Sequence, residues 1–113
     1  MDDVAGDFDT DNRLAWGFSK TASPNGPGDW CKYSFGFGYG ANTFPDYSKL
    51  GSTADFLLFG SNMFRTPALD AYLGADVAWV SKPADGVTTC PAAASFRQGV
   101  ERTSVTRWSA TPA

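Results

Sequence analysis

Histidine is absent from the chain, and cysteine occurs only at Cys31 and Cys90. With no histidine and no CxxC pair, ordinary zinc sites and thioredoxin-type redox chemistry are excluded. Long apolar stretches are missing too: runs stop at four residues, as in Phe56 to Phe59, far short of the roughly 20 that span a bilayer as a helix. Basic charge is scarce. Nine Lys and Arg against twelve Asp and Glu leave a net charge of -3, and the basic residues are scattered, so nothing marks a surface for a nucleic-acid backbone. The start, Met1-Asp2-Asp3, is acidic where a secretory signal is basic and then apolar, which is also how a mature or excised piece begins. Nucleophile elbows, phosphate loops and dinucleotide fingerprints (G-x-S-x-G, G-K-[ST], G-x-G-x-x-G) do not occur.

What the chain has is aromatic residues and turns. Aromatics make up 15% of its 113 residues, with twelve glycines and seven prolines, a composition that favours strands over long helices. The length suits one domain with a real core. Period-two alternation predicts strands at Arg13–Ser19, Trp30–Phe37, Phe44–Leu50, Phe56–Ser61, Ala75–Ser81 and Val100–Ala110, with a short one at Val4–Phe8. Ser23 to Gly28 contains two prolines and two glycines and reads as a surface loop. Pro91–Gly99 has poor periodicity, and a helical turn fits only Ala68–Leu73, between Pro67 and Gly74. Gly36 to Gly40 interleaves three glycines with Phe37 and Tyr39, which suits a close-packed strand or an exposed recognition loop.

Two segments look like copies of one unit. Aligning Asp7-Phe8 with Asp46-Tyr47 gives an offset of 39, and aligning Trp16–Ser19 with Leu58–Ser61 gives 42. Offsets near 40, with several short strands per unit, are the signature of propeller blades. The expected fold is therefore all-β: about two blades of a β-propeller, antiparallel sheets of up to four strands, with repeats near 4–40 and 44–110.

The strings FPDYSKLG (Phe44–Gly51), DFLLFGSNMF (Asp55–Phe64) and GADVAWVSKP (Gly74–Pro83), preceded by NRLAWGFSKTASPNGPGDWCKYSF (Asn12–Phe35), resemble a recurring pattern in large secreted bacterial β-propeller proteins. The likeness runs from about Val4 to Pro83, and Ser48 departs from it where that family tends to have proline. It implies a secreted, extracellular or periplasmic fragment of a larger ring. Two blades leave open sheet edges and bare inter-blade faces, so the expected partners are further blades of the same chain or a homo-oligomer.

Four constellations stand out. Cys31 and Cys90 are either a disulfide, worth on the order of 4 kcal/mol in the chain-entropy model, or two buried thiols. Asp7, Asp9 and Asp11 form D-x-D-x-D, which is either a calcium loop or a solvated acidic turn; the glycine and glutamate of a full EF-hand are replaced by Asn12 and Phe18. Asp46, Tyr47 and Lys49 fall on the strand that would line the channel of the second blade. An Asp-Tyr pair resembles glycosidases with a tyrosine nucleophile, sialidases above all, although Arg13, Arg65, Arg97, Arg102 and Arg107 share no spacing. Among the tryptophans and tyrosines only Tyr39 is expected to be exposed for ligand contact, the other strand aromatics being assigned to packing. The functional expectation is an extracellular binding or interaction module for glycan or protein; the alternatives are a sialidase-like glycoside hydrolase and a purely structural surface repeat.

Overall fold

A computed structural model describes residues 12–65, 71–86, 88–100 and 102–113. The described residues form seven strands: β1 Leu14–Ser19, β2 Trp30–Phe35, β3 Thr43–Ser52, β4 Phe56–Arg65, β5 Tyr72–Ser81, β6 Ala93–Gly99 and β7 Arg102–Ala110. They make two antiparallel sheets, a two-stranded β1-β2 and a five-stranded meander in the order β3-β4-β5-β6-β7. The fold is all-β. The larger sheet exceeds the expected limit of four strands because Ala93–Gly99, read as irregular, is β6. Its inward residues are Ala93, Ser95 and Arg97, and that small, polar set hides the alternation on which strand recognition depends.

The β1–β2 hairpin aligns Trp16 with Tyr33 and Phe18 with Cys31, and alternation sends these side chains to one face. There they meet Phe59, Ala78, Val80, Ala93 and Ala110 from the larger sheet in one core, which Phe37 completes. Trp16 stacks on Tyr33 with ring centroids 5.4 Å apart and packs at a tilt against Phe37 and Phe59. Each buried large side chain contributes roughly 1.5–3 kcal/mol, which matters because a lone two-stranded hairpin is marginal in water.

Covalent and polar ties fasten the small sheet at its margins. Cys31 and Cys90 form a disulfide with Cα atoms 5.3 Å apart, so the paired alternative is the one realised. Tyr33 Oη donates to the Pro91 carbonyl at 2.6 Å. Beyond β7 the chain crosses to β2, where Pro112 bridges Tyr33 and the Ala113 N–H donates to the Lys32 carbonyl at 2.7 Å. At the other margin Asn12 Nδ2 donates to the Thr43 carbonyl at 2.7 Å.

Other expectations shift in detail. The loop after β1 holds a single 3₁₀ turn, Pro27–Asp29. Tyr72 and Leu73, expected in a helical turn, open β5, while residues 66–70, like Val4–Phe8, lie outside the described residues. Gly36–Gly40 is a close-packed turn: Phe37 has φ 52 and is fully buried. No helix among the described residues is long and apolar enough to cross a membrane.

Candidate functional site

Because Trp16, Cys31 and Tyr33 point into the core, the opposite parity of the hairpin faces outward: Arg13 just before β1, Ala15, Gly17 and Ser19 along it, with Trp30, Lys32 and Ser34 along β2. The register places Lys32 across from Gly17 and Trp30 across from Ser19. At Gly17 the surface has no side chain. A Cβ there would lie 3.2 Å from the Cys31 carbonyl and 3.9 Å from Trp30 Cε3, so the indole leans over the glycine and the backbone forms a floor. The result is an open apolar concavity of about 630 Å³ bordered by Ala15, Gly17, Pro27, Trp30 and Lys32. Trp30, 40% exposed, stands beside this floor.

Arg13 and Asp29 frame this face. The Arg13 guanidinium donates from Nε to Ser34 Oγ and from Nη2 to the Ser34 carbonyl, both at 3.1 Å. Asp29 turns into the loop, where its Oδ2 accepts the Asn25 N–H at 2.8 Å. Beneath the floor, the Trp16 Nε1–H is buried without a hydrogen-bond partner.

Tyr39, expected to be exposed, is half-buried: the Arg97 guanidinium lies 4.3 Å from its ring centroid, and its ring packs at a tilt against Phe37. The exposed strand aromatics are instead Trp30, Tyr47 and Tyr72. Trp30 escapes packing because it alternates against Cys31 and Tyr33; Tyr47 does so because the β3–β4 register shifts between Asp46 and Lys49 and Tyr47 takes φ 52. Asp46 Oδ1 accepts the N–H of Tyr47 at 2.9 Å, while Tyr47 and Lys49 project to solvent from the edge strand. Three of the described guanidiniums are engaged elsewhere. Arg13 is tied to Ser34, Arg97 to Asp76, and Arg107 lies over Phe96.

The Asp76–Arg97 pair is the most enclosed polar group that sequence reasoning missed. Arg97 Nε donates to Asp76 Oδ2 at 2.5 Å, Arg97 Nη1 to the Gly38 carbonyl at 3.2 Å, and the Val100 N–H to Asp76 Oδ1 at 2.9 Å. A Cβ at Gly99 would sit 1.6 Å from Asp76 Oδ1, so only glycine admits the carboxylate. With both its oxygens engaged, this pair staples the Phe37–Tyr39 turn to the larger sheet and is a poor general acid or base. A sequence signal existed in the alternation of Asp76 with Ala78 and Val80. Burial also pushes the Tyr33 phenol above its ordinary pKa. The Asp7, Asp9, Asp11 motif lies outside the described residues, and among the described residues no three His, Cys, Asp or Glu side chains group to hold a metal.

No protein-family model matches the chain, and neither a curated protein nor a solved structure matches it significantly.

Proposed function

We propose that this chain is an extracellular binding module whose ligand is a glycan, held on the outer face of the β1–β2 sheet. The observation that carries the reading is Trp30, 40% exposed beside a floor of Ala15 and Gly17: a flat apolar ring that also offers an N–H suits a sugar ring, which has an apolar face and polar edges. The Cys31–Cys90 disulfide supports an oxidising compartment, since cytosolic thiols are kept reduced. Affinity electrophoresis through gels containing different polysaccharides tests the proposal. Retardation by at least one of them, abolished in Trp30→Ala, is expected; migration unaffected by any polysaccharide contradicts it.

A second reading concerns assembly, and the outer face of the larger sheet favours it. Trp79 stacks on Phe96 with centroids 5.4 Å apart, Phe56 meets Phe96 edge-on, and all three stay only half-buried on the side away from the core. In a propeller ring such a face receives the next blade, and the antiparallel meander of β3 to β7, with one strand more than the four of a blade, supports that reading. We therefore propose that further blades, or a second copy, cover this face. Sedimentation velocity should show concentration-dependent association, weakened in Trp79→Ser; a monomer at all concentrations counts against it.

A further inference from the structure

The five-stranded sheet has one face left to offer. In a ring of blades each sheet meets a neighbour on both sides, but the inner face of this one is taken by the chain's own β1–β2 hairpin, which the Cys31–Cys90 disulfide ties down. A chain with one free face joins one partner, and association closes at two.

The relief of that face fits a copy of itself. Cross-strand register sets Leu58, Trp79 and Phe96 in one outward row and Gly60, Val77 and Gln98 in the next. The first row is a ridge of large side chains, with Trp79 stacked on Phe96. The second is a trough, deepest at Gly60, where an added Cβ would meet nothing within 4 Å. Ridge and trough lie about 7 Å apart along the strands, so a twofold axis between them seats each chain's ridge in the other's trough. Faces that carry large side chains pack closely only in such an offset. Charge falls at the margins, Lys49 across from Gly60 on β3 and Arg107 across from Phe96 on β7, which gives the apolar middle and polar rim of a protein interface. Five strands of seven to ten residues make a face about 24 Å by about 30 Å, roughly 700 Å², close to the roughly 800 Å² per partner of a standard interface.

Resting on the assembly reading above, we propose that this face pairs with the same face of a second copy in a twofold dimer, Trp79 of each chain entering the trough at Gly60 of the other. The core lies within one chain, so the dimer dissociates on dilution without unfolding. The test is sedimentation velocity with light-scattering mass across a concentration series, on the full chain and on Gly60→Glu and Trp79→Ser. Gly60→Glu is the sharper variant. Its side chain enters open space beside Lys49, so the monomer keeps its fold, which thermal melting of dilute protein checks, while the trough is filled and a carboxylate is buried at the contact.

A monomer–dimer equilibrium with no larger species is expected, shifted about tenfold or more toward monomer by each variant. Species larger than two chains, lost in Trp79→Ser, overturn the closed dimer and leave the covered-face reading standing. A dimer weakened by Trp79→Ser but indifferent to Gly60→Glu overturns the seating at Gly60 and likewise leaves that reading. A dimer that both variants leave intact, or a monomer at every concentration, overturns both.

Discussion

The two-stranded sheet turns its bulk inward and its small residues outward: Trp16 and Tyr33 enter the core, while Ala15 and Gly17 floor the outer face. Strands β5 and β6 of the five-stranded sheet are built the other way round. Their inward positions include Ala78, Ala93 and Ser95, and their outward ones carry the stacked Trp79 and Phe96. Close packing requires this pairing of large against small, because two faces of large rings would hold the sheets apart and two faces of alanine would leave voids. The comparison teaches that the small sheet owes its existence to what it pushes into the larger one, and that its outer face is left with small residues around Trp30.

Breaking the Asp76–Arg97 pair strains this arrangement most. Arg97→Met leaves a buried carboxylate with only the Val100 N–H, and Asp76→Asn leaves a buried guanidinium short of its counter-charge. Either should lower the unfolding free energy by about 3–5 kcal/mol in urea titration. A loss under about 1 kcal/mol would mean that water reaches the pair.

The disulfide comes next. Its partners are 59 residues apart, and replacing both in Cys31→Ser/Cys90→Ser should cost about 4 kcal/mol in the chain-entropy model. Hydrogen exchange sharpens the comparison: amides of β1 and β2 should lose protection first, while β4 and β5, at the heart of the larger sheet, keep theirs. Uniform loss across both sheets would mean that the hairpin is not the dependent partner.

Tryptophans on opposite faces give a smaller contrast. Trp16→Ala should cost about 3–5 kcal/mol as a core truncation, against roughly 1 kcal/mol for Trp79→Ala, a half-exposed aromatic pair. Equal costs would show that the outer face is covered in solution. Tyr33→Phe should cost about 1 kcal/mol by removing the hydrogen bond to Pro91. The folded state holds the Tyr33 proton above its ordinary value of 10.0, so that contribution is complete below pH 10.0 and is lost as pH rises through the higher folded value. Alkaline unfolding of Tyr33→Phe should lack this component.

Sequence reading located strands wherever large aromatics alternate, as in Leu14, Trp16 and Phe18 of β1 or Cys31 and Tyr33 of β2. It failed where the buried parity is small or charged. In β5 the hydrophobic choice for the core is Val77 and Trp79, yet Asp76, Ala78 and Val80 are the buried set, since the opposing sheet already fills the space with rings. For the same reason β6 was read as irregular. The site was half legible: alternation puts Trp30 opposite Cys31 and Tyr33, but only the structure reveals that Gly17 lies beneath its indole. The bulge that exposes Tyr47 depends on pairing with β4, which no local pattern encodes.

The central claim is that the ligand-binding surface is the outer face of the small sheet. The direct measurement is an amide and indole NMR titration with oligomers of whichever polysaccharide retards the chain in affinity electrophoresis. The account expects shifts confined to residues 13–19 and 30–34, the Trp30 indole moving most. Shifts centred on Trp79 and Phe96, or on Asp46–Lys49, with residues 13–19 and 30–34 unmoved, would contradict it.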